Sequence, residues 1–286
     1  MNPYLHLVEE YARFAQEGKS YPLGGFEPLP RPQLAPDAPK ALIFSPHPDD
    51  ECIIGGLAIR MLREAGMRVV NVAVTQGSKK ERQAGRWAEL ADACNFLGFD
   101  LVPTQPNGLE RVNPKTRTSD PSTWAGMVAI IARILDQHRP KAILFPHELD
   151  WNSTHIGTHF LVADALRTLP ADFECFAFET EFWGPMATPN LMVESSPKDV
   201  GDMITALSFH VEEVRRNPYH ILTPAWMQDN VRRGGELVGG QGGAAPDFTF
   251  ATLYRLRKWS RGELSPLYSG GRNLPLGTSP ATLFAS

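Results

Sequence analysis

The chain has 286 residues, of which 42% are hydrophobic and 21% charged, values that are ordinary for a globular protein with a substantial core. Its net charge of −4 gives no electrostatic reason to expect a nucleic acid or an anionic membrane surface as a partner. Three cysteines without close spacing argue against a disulfide framework and against a cysteine-based zinc site. The sequence contains neither an apolar run long enough to span a bilayer nor a signal-peptide pattern, so we predict a cytoplasmic protein without an integral membrane segment.

Residues 1–39 are predicted to form an N-terminal helix and a proline-rich arm. Apolar side chains recur at helical spacing from Leu5 to Gln16, which indicates an amphipathic helix. The segment from Tyr21 to Pro39 is rich in proline and is predicted to be an irregular arm over the surface. An extended arm of this kind can also reach a neighbouring subunit, which would make the protein a homo-oligomer.

Short apolar segments then alternate with helical patterns. The predicted strands are Ala41–Phe44, Arg68–Thr75, Asp100–Pro103, Lys141–Phe145 and Cys175–Glu179. Phe248–Tyr254 is predicted to be a last strand or a packing segment. Crossovers of this length join parallel strands. We therefore predict one α/β domain over residues 40–259, a Rossmann-like three-layer α/β sandwich with a mainly parallel sheet. Residues 260–286 are rich in Gly, Ser and Pro, which predicts a loosely held C-terminal tail.

The first predicted strand ends in a dense cluster of side chains that can bind a metal. The run Ser-Pro-His-Pro-Asp-Asp-Glu contributes four of them: His47, Asp49, Asp50 and Glu51. In an open α/β sheet, ligands bind beyond the carboxyl ends of the strands. An imidazole with carboxylates at that place suits a borderline divalent cation, zinc first. The alternative interpretation is that the acids cap the helix that follows them.

The run from Gln76 to Lys80 follows the second predicted strand and has the composition of a phosphate-binding loop. It lacks the glycine spacing of a dinucleotide fingerprint or a P-loop, so we do not predict a phosphate-binding loop there. The same absence argues against a nucleotide-binding oxidoreductase on this fold class.

The strand predicted at Lys141–Phe145 also ends in acids and histidines. The residues that follow it, from Pro146 to His155, should lie close to the first cluster, because the carboxyl ends of parallel strands meet at one edge of a sheet. His155 and His159 are four residues apart at the start of a predicted helix, a spacing that places them on one helical face.

The segment Ser45–Glu51, followed by Gly55-Gly56, resembles the opening signature of the LmbE-like, or PIG-L, deacetylases. Arg86-Trp-Ala-Glu-Leu90 is similar to the Arg-x-x-Glu-Leu helix of that family, and the similarity extends over roughly residues 40–254, weakening in the last third. It implies a zinc-dependent hydrolase that removes an N-acetyl group from a glucosamine-containing sugar or glycoconjugate. The implied partner is a small acetylated amino sugar or glycoconjugate.

The resemblance implies that His47, Asp50 and His155 bind Zn²⁺ and leave an open position, as catalytic zinc sites do. Iron or cobalt would also fit this ligand set. Asp49 would take a proton from the attacking water and later give it to the leaving amine. The two aspartates point to opposite sides if the backbone is extended there, which suits one base and one ligand.

Two further residues are implied to contact the substrate. Arg86 matches the family's arginine that reaches the bound sugar, and the alternative is a surface ion pair with Glu89. Asn107 stands where the family often has an acid on the sugar hydroxyls, and the alternative is a turn residue that tolerates the left-handed conformation.

The second strand exit departs from the family pattern. Asn152 and Thr154 stand where the His-Pro-Asp-His motif has its first histidine and its aspartate. That histidine is credited with stabilising the oxyanion, so another donor has to supply the role. The candidates are Asn152, His147, His159 and His210, and for His159 a structural role is the alternative. A catalytically impaired, metal-containing sugar-binding protein on the same scaffold is therefore our second functional hypothesis.

Overall fold

The alternating strands and helices form a nine-stranded sheet in the computed structural model, which describes residues 2–285. The strands are β1 (Lys40–Ser45), β2 (Arg68–Ala73), β3 (Asp100–Pro103), β4 (Ala142–Pro146), β5 (Cys175–Thr180), β6 (Leu191–Ser195), β7 (Phe250–Ser260), β8 (Glu263–Pro266) and β9 (Arg272–Leu274). The helices are α1 (Pro3–Gly18), α2 (Asp50–Ile53), α3 (Leu57–Glu64), α4 (Gln83–Leu97), α5 (Pro114–Ser119), α6 (Pro121–His138), α7 (Ser153–Leu166), α8 (Pro197–Leu207), α9 (Val211–Arg216) and α10 (Tyr219–Leu237).

The strand order is β3-β2-β1-β4-β5-β7-β6-β9, and β8 pairs with β7 beside this path. The strands from β3 to β5 are parallel to one another, whereas β7 runs antiparallel to both of its neighbours in this order. The predicted mainly parallel α/β sheet is therefore confirmed. The chain leaves β1 towards β2 and β3 on one side and places β4 and β5 on the other. Such a reversal opens a crevice at the carboxyl ends of β1 and β4.

Helices cover both faces of the sheet. Successive side chains of a strand point to opposite faces, and the apolar side chains of β1 pack against helices on each face. In β1, Ala41 and Ile43 belong to a hydrophobic cluster that includes side chains of α3 and α4. Leu42 and Phe44 belong to a second cluster that includes side chains of α6 and α7. All four side chains are fully buried, so β1 is an interior strand of a three-layer structure.

Two glycines interrupt the helix that the sequence predicts after the acid-rich turn. A Cβ on Gly55 would lie 2.2 Å from Oγ1 of Thr252 in β7, and a Cβ on Gly56 would lie 2.3 Å from Oγ of Ser195 in β6. Gly55 also has a φ of +85°, which favours glycine. The helix is therefore split into α2 and α3, and the turn after β1 packs directly on β6 and β7.

The C-terminal segment differs from the loosely held tail predicted for residues 260–286. β8 and β9 join the sheet, and Leu274 and Leu283 are buried. Arg60 on α3 is fully buried and donates hydrogen bonds to the carbonyl oxygens of Leu274, Pro275 and Thr278. Burial of these leucines and satisfaction of the Arg60 guanidinium hold the segment against the core.

The N-terminal helix α1 covers the segment that the sequence predicts to be helical, and most of its large apolar side chains are exposed. Within residues 2–285, no helix combines the length and the hydropathy that are needed to cross a membrane.

Candidate active site

The acid-rich turn after β1 lies at the crevice between β1 and β4. The amide of His47 donates to Oδ2 of Asp50 at 2.8 Å, and the amide of Asp49 donates to Oε2 of Glu51 at 3.0 Å. Asp49 has a φ of 113°, so the extended backbone considered for Asp49 and Asp50 is not present. Asp49 stands at the N-cap of α2 without a side-chain capping bond, and Asp50 is the first residue of that helix. The capping interpretation therefore does not account for the Asp49 carboxylate.

The start of α7 brings His155 to the same crevice. α7 follows β4, the neighbour of β1 in the sheet. Asn152 is its N-cap residue and accepts the amide proton of Thr154 at 2.8 Å through Oδ1. His155 lies in the first turn of the helix and is fully buried.

Three of the predicted ligand atoms form a compact triangle. Nδ1 of His47 is 3.2 Å from Nε2 of His155 and 3.4 Å from Oδ2 of Asp50. Nε2 of His155 and Oδ2 of Asp50 are 3.2 Å apart. Ligand atoms that bind one zinc ion tetrahedrally at ~2.0–2.1 Å are roughly 3.3 Å from one another. Two nitrogens and one oxygen at this spacing therefore fit a zinc ion or a similar divalent cation.

Asp150 supports His155 from the side opposite the triangle. Its Oδ1 lies 3.4 Å from Nδ1 of His155, and its two oxygens also accept the amide protons of Asn152, Trp183 and Gly184. Burial lowers the pKa of His155, but the carboxylates of Asp50 and Asp150 outweigh it and raise that pKa to about 10. Carboxylate partners of this kind orient a metal-binding histidine and increase its basicity.

The Asp49 carboxylate lies beside the triangle and outside it. The hydroxyl of Tyr219 donates to its Oδ2 at 2.5 Å, and an Arg86 guanidinium nitrogen lies 4.0 Å from the same oxygen. Burial and then the charge of Asp50 raise the pKa of Asp49 to about 7. A carboxylate whose pKa lies near neutrality can accept and return a proton at physiological pH.

The triangle and Asp49 open into a cavity of about 500 Å³. Arg86 and Tyr219 line it, and Arg86 is held by a hydrogen bond to the carbonyl oxygen of Pro48 at 2.8 Å. Trp151 and Trp183 stand at its mouth with 76% and 40% of their surfaces exposed. The rings of Trp183 and Tyr219 pack edge to face with centroids 5.4 Å apart. The cavity thus combines a polar floor with aromatic side chains at the mouth.

Of the other predicted substrate-binding residues, Arg86 and Asn152 line this cavity, whereas Asn107 and His159 do not. Asn107 has a φ of +68° in an exposed turn, as the alternative interpretation of this residue expects. His159 is buried, and its Nδ1 lies 3.0 Å from the carbonyl oxygen of Pro146. Of the four candidates for the oxyanion donor, Asn152 alone lines the cavity over the triangle.

His147 and His210 have other partners. Nε2 of His147 lies 2.8 Å from the carbonyl oxygen of Gly184. His210 lies between the end of α8 and the start of α9, and its Nε2 lies 2.7 Å from Oε1 of Glu51. Because Glu51 also accepts the Asp49 amide proton, His210 supports the turn from behind and does not face the cavity.

Sequence reasoning missed four groups around the site. Asp150 and Trp151 lie in the segment from Pro146 to His155, and Trp183 follows β5. The spacing of these three residues carries no sign of their contacts. Tyr219 is 170 residues from Asp49 in the chain, so only the packing of α10 brings the two together. No local pattern could have identified that pair.

Comparison with known proteins agrees with the resemblance stated above. Residues 42–166 match the PIG-L family, described as GlcNAc-PI de-N-acetylase. A 1D-myo-inositol 2-acetamido-2-deoxy-alpha-D-glucopyranoside deacetylase from Mycobacterium leprae is 27% identical over 161 residues, which are 46% of this chain and 51% of that protein. The chain thus spans about half the length of the curated relatives it matches.

Solved structures share the fold. An N,N'-diacetylchitobiose deacetylase from Pyrococcus horikoshii is similar with a TM-score of 0.56 and 16% identity, covering 91% of this chain and 96% of that one. The 4-carboxy-2-hydroxymuconate hydratase GalB from Pseudomonas putida is similar with a TM-score of 0.53 and 16% identity, covering 76% and 95%. At this level of identity the likeness establishes the fold alone. The match over residues 42–166, which contain the triangle and Asp49, shows that this part of the chain is similar to the PIG-L, or LmbE-like, family.

Proposed function

We propose that the protein is a metal-dependent hydrolase that removes an N-acetyl group from a glucosamine-containing sugar or glycoconjugate. The observation that carries the proposal is the triangle of His47, Asp50 and His155 beside the separate carboxylate of Asp49. Three ligands and one adjacent base are the minimum set for hydrolysis of an amide by an activated water.

His47, Asp50 and His155 would hold the metal, with zinc as the first candidate. When bound, zinc supplies a Lewis acid that polarises the acetyl carbonyl and makes water a better nucleophile. The triangle faces the cavity through His47 and Asp50, so an acetamide can reach it from solvent.

Asp49 would act as the general base and then as the general acid. It takes a proton from water as the oxygen attacks the carbonyl carbon, and it gives that proton to the amine nitrogen as the C–N bond breaks. The products are acetate and the free amino sugar. The hydrogen bond from Tyr219 fixes the orientation of the carboxylate for both transfers.

Asn152 would replace the oxyanion donor of the family. Its Oδ1 accepts the Thr154 amide proton, so its Nδ2 is the group that can donate into the cavity. Arg86 and the aromatic side chains at the mouth would bind the sugar, because tryptophan and tyrosine offer apolar faces with polar edges. Cytoplasmic location and homo-oligomerisation stay predictions.

The test is acetate release from N-acetylglucosamine and its β-linked dimer by metal-stripped and zinc-reconstituted protein. We expect release that depends on zinc and that is lost again on chelation. Zinc that binds stoichiometrically, without acetate release from these sugars or from any other N-acetylglucosamine compound, would contradict the proposal. If those sugars still bound, as measured by calorimetry, the second hypothesis of a catalytically impaired sugar-binding protein would replace it.

A further inference from the structure

A second cavity of about 240 Å³ adjoins the one over the triangle. The two cavities share Arg86, Glu213 and Arg216, so they are neighbouring parts of one cleft. Arg86, which lies 4.0 Å from Asp49, also lines the second cavity. From Arg86 the second cavity extends towards the loop that follows β2.

Positively charged side chains dominate this second cavity. Lys79, Arg82, Arg86 and Arg216 line it, with Glu213 as the one acid among its lining residues in the described chain. Glu213 is already paired, because it accepts a hydrogen bond from Arg82 at 2.9 Å and another from Arg216. Burial raises the pKa of Glu213, but the hydrogen bond from Arg216 and the nearby arginine charges outweigh it and hold that pKa below its ordinary value. The ionised Glu213 therefore compensates only part of the positive charge in the cavity.

Two buried groups at this cavity also lack partners. Gln76 is 2% exposed, and neither atom of its side-chain amide has a hydrogen-bond partner among residues 2–285. Nε of Arg86 is likewise buried without one. Buried polar groups are normally hydrogen-bonded, and each exception requires an explanation such as a ligand.

We propose that this second cavity binds an anionic group, a phosphate or a carboxylate, that the acetylated sugar carries next to its acetamide. The proposal rests on the proposed function and specifies its substrate class. Arginine forks match the geometry of phosphate and carboxylate oxygens, and Gln76 adds an amide donor. Recognition is by side chains, which agrees with the lack of P-loop glycine spacing in the run from Gln76 to Lys80.

A purely structural role does not account for this arrangement. Arg82 and Arg216 would suffice to neutralise Glu213 and its neighbour Glu212. Lys79 and Arg86 then remain as cations that face the cleft. Among residues 2–285, neither has a carboxylate partner within 4 Å, apart from Asp49 at 4.0 Å from Arg86. An uncharged sugar would leave that excess unpaired, whereas an anion satisfies it.

The test compares three charged substrates with neutral N-acetylglucosamine: its 1-phosphate, its 6-phosphate and N-acetylmuramic acid. With zinc-loaded protein, we expect kcat/KM for at least one charged sugar to exceed that of the neutral sugar about tenfold, the gain of one charge-assisted hydrogen-bonded pair. Arg216→Gln should reduce this ratio of kcat/KM values about tenfold. Arg215→Gln removes the same charge from the next position of α9 outside the cavity and should leave the ratio unchanged.

A binding measurement keeps the proposal testable without turnover. Calorimetry with zinc-loaded Asp49→Asn should give tighter binding of the preferred charged sugar than of N-acetylglucosamine, and Arg216→Gln in that background should remove the difference. Acetate release from the neutral sugar with no preference for any charged sugar would overturn the anionic site and leave the proposed function intact. If the charged sugar still bound to the Arg216→Gln variant but no longer bound after zinc was removed, the anion would be bound by the metal. That result would also overturn the anionic site.

Discussion

The hydroxyl of Tyr219, the first residue of α10, lies 2.5 Å from Oδ2 of Asp49, the residue that precedes the proposed metal ligand Asp50. Burial and then the charge of Asp49 raise the pKa of Tyr219, so the phenol stays protonated and acts as the donor. This contact fixes a carboxylate whose own backbone is in an unfavourable conformation for a non-glycine residue. The proposed base is therefore oriented by a helix from a distant part of the chain.

Removal of this donor should slow the reaction. We expect Tyr219→Phe to lower kcat by about tenfold or more, because a hydrogen bond to a charged group is lost, while zinc affinity is retained. Tyr268→Phe is a matched control, since its hydroxyl bonds to the carbonyl oxygen of Asn190 outside the cavity. Equal values of kcat for Tyr219→Phe and the control would contradict this role of Tyr219.

The buried pair of His210 and Glu51 should stabilise the fold. Burial lowers the pKa of His210, but the charge and the hydrogen bond of Glu51 outweigh it and raise that pKa above its ordinary value. His210→Leu leaves the Glu51 carboxylate buried without its cation, and we expect the free energy of unfolding to fall by about 3 kcal/mol. In the control His220→Leu, the replaced histidine is buried, and burial alone lowers its pKa. The free energy of unfolding should therefore fall by less than about 1.5 kcal/mol in this control.

The same pair predicts a dependence on pH. Because the pKa of His210 is raised in the folded state, its contribution is fully present below about pH 6.5 and is lost as the pH rises through the folded-state pKa. The difference in unfolding free energy between wild type and His210→Leu should therefore shrink as the pH increases. Denaturant titrations that give a constant difference from about pH 6 to about pH 9 would show that the pair is not charged.

Metal binding should release a proton. The pKa of His155 lies at about 10 when Asp50 and Asp150 are its only charged partners, so His155 is protonated near pH 8 before a metal displaces that proton. We expect calorimetry in buffers of different ionisation enthalpy to give about one proton released per zinc ion at about pH 8. Zinc binding without proton release would contradict the participation of His155.

Arg60 should anchor the C-terminal segment. It is fully buried, pairs with Glu64 on its own helix, and donates to backbone carbonyl oxygens of β6 and of the segment after β9. Arg60→Met leaves those acceptors and Glu64 without their donor, and we expect a loss of about 3–5 kcal/mol in denaturant unfolding. Arg68→Met, which removes a more exposed ion pair with Asp100, should cost less than about 1 kcal/mol. Equal losses of unfolding free energy in Arg60→Met and Arg68→Met would refute the anchoring role of Arg60.

The sheet and the ligand cluster could be predicted because their signals are local. Apolar segments of strand length and helical periodicity identify β1 and its neighbours without knowledge of the fold. The histidine and acids after β1 are consecutive in the chain, and parallel strands bring the residues after β4 to the same edge.

The remaining features depend on contacts between distant segments. Glycine and proline composition suggested a loose C-terminal tail because the sequence does not show that Arg60 binds its carbonyl groups. In the same way, the partner of His210 is Glu51, 159 residues away in the chain, and no local pattern shows this contact. Gln76 lies in a run without P-loop glycine spacing, and its place beside Arg86 and Arg216 depends on how α4 and α9 pack.

The most direct test of the central claim is acetate release by zinc-loaded Asp49→Asn. This substitution removes the proposed base and keeps the size of the side chain, so zinc should still bind at His47, Asp50 and His155. We predict a loss of about 10²–10⁴-fold in kcat with unchanged zinc stoichiometry, and no loss in the control Asp136→Asn on the exposed face of α6. A zinc-loaded Asp49→Asn protein that releases acetate within a fewfold of the wild-type rate would contradict the mechanism.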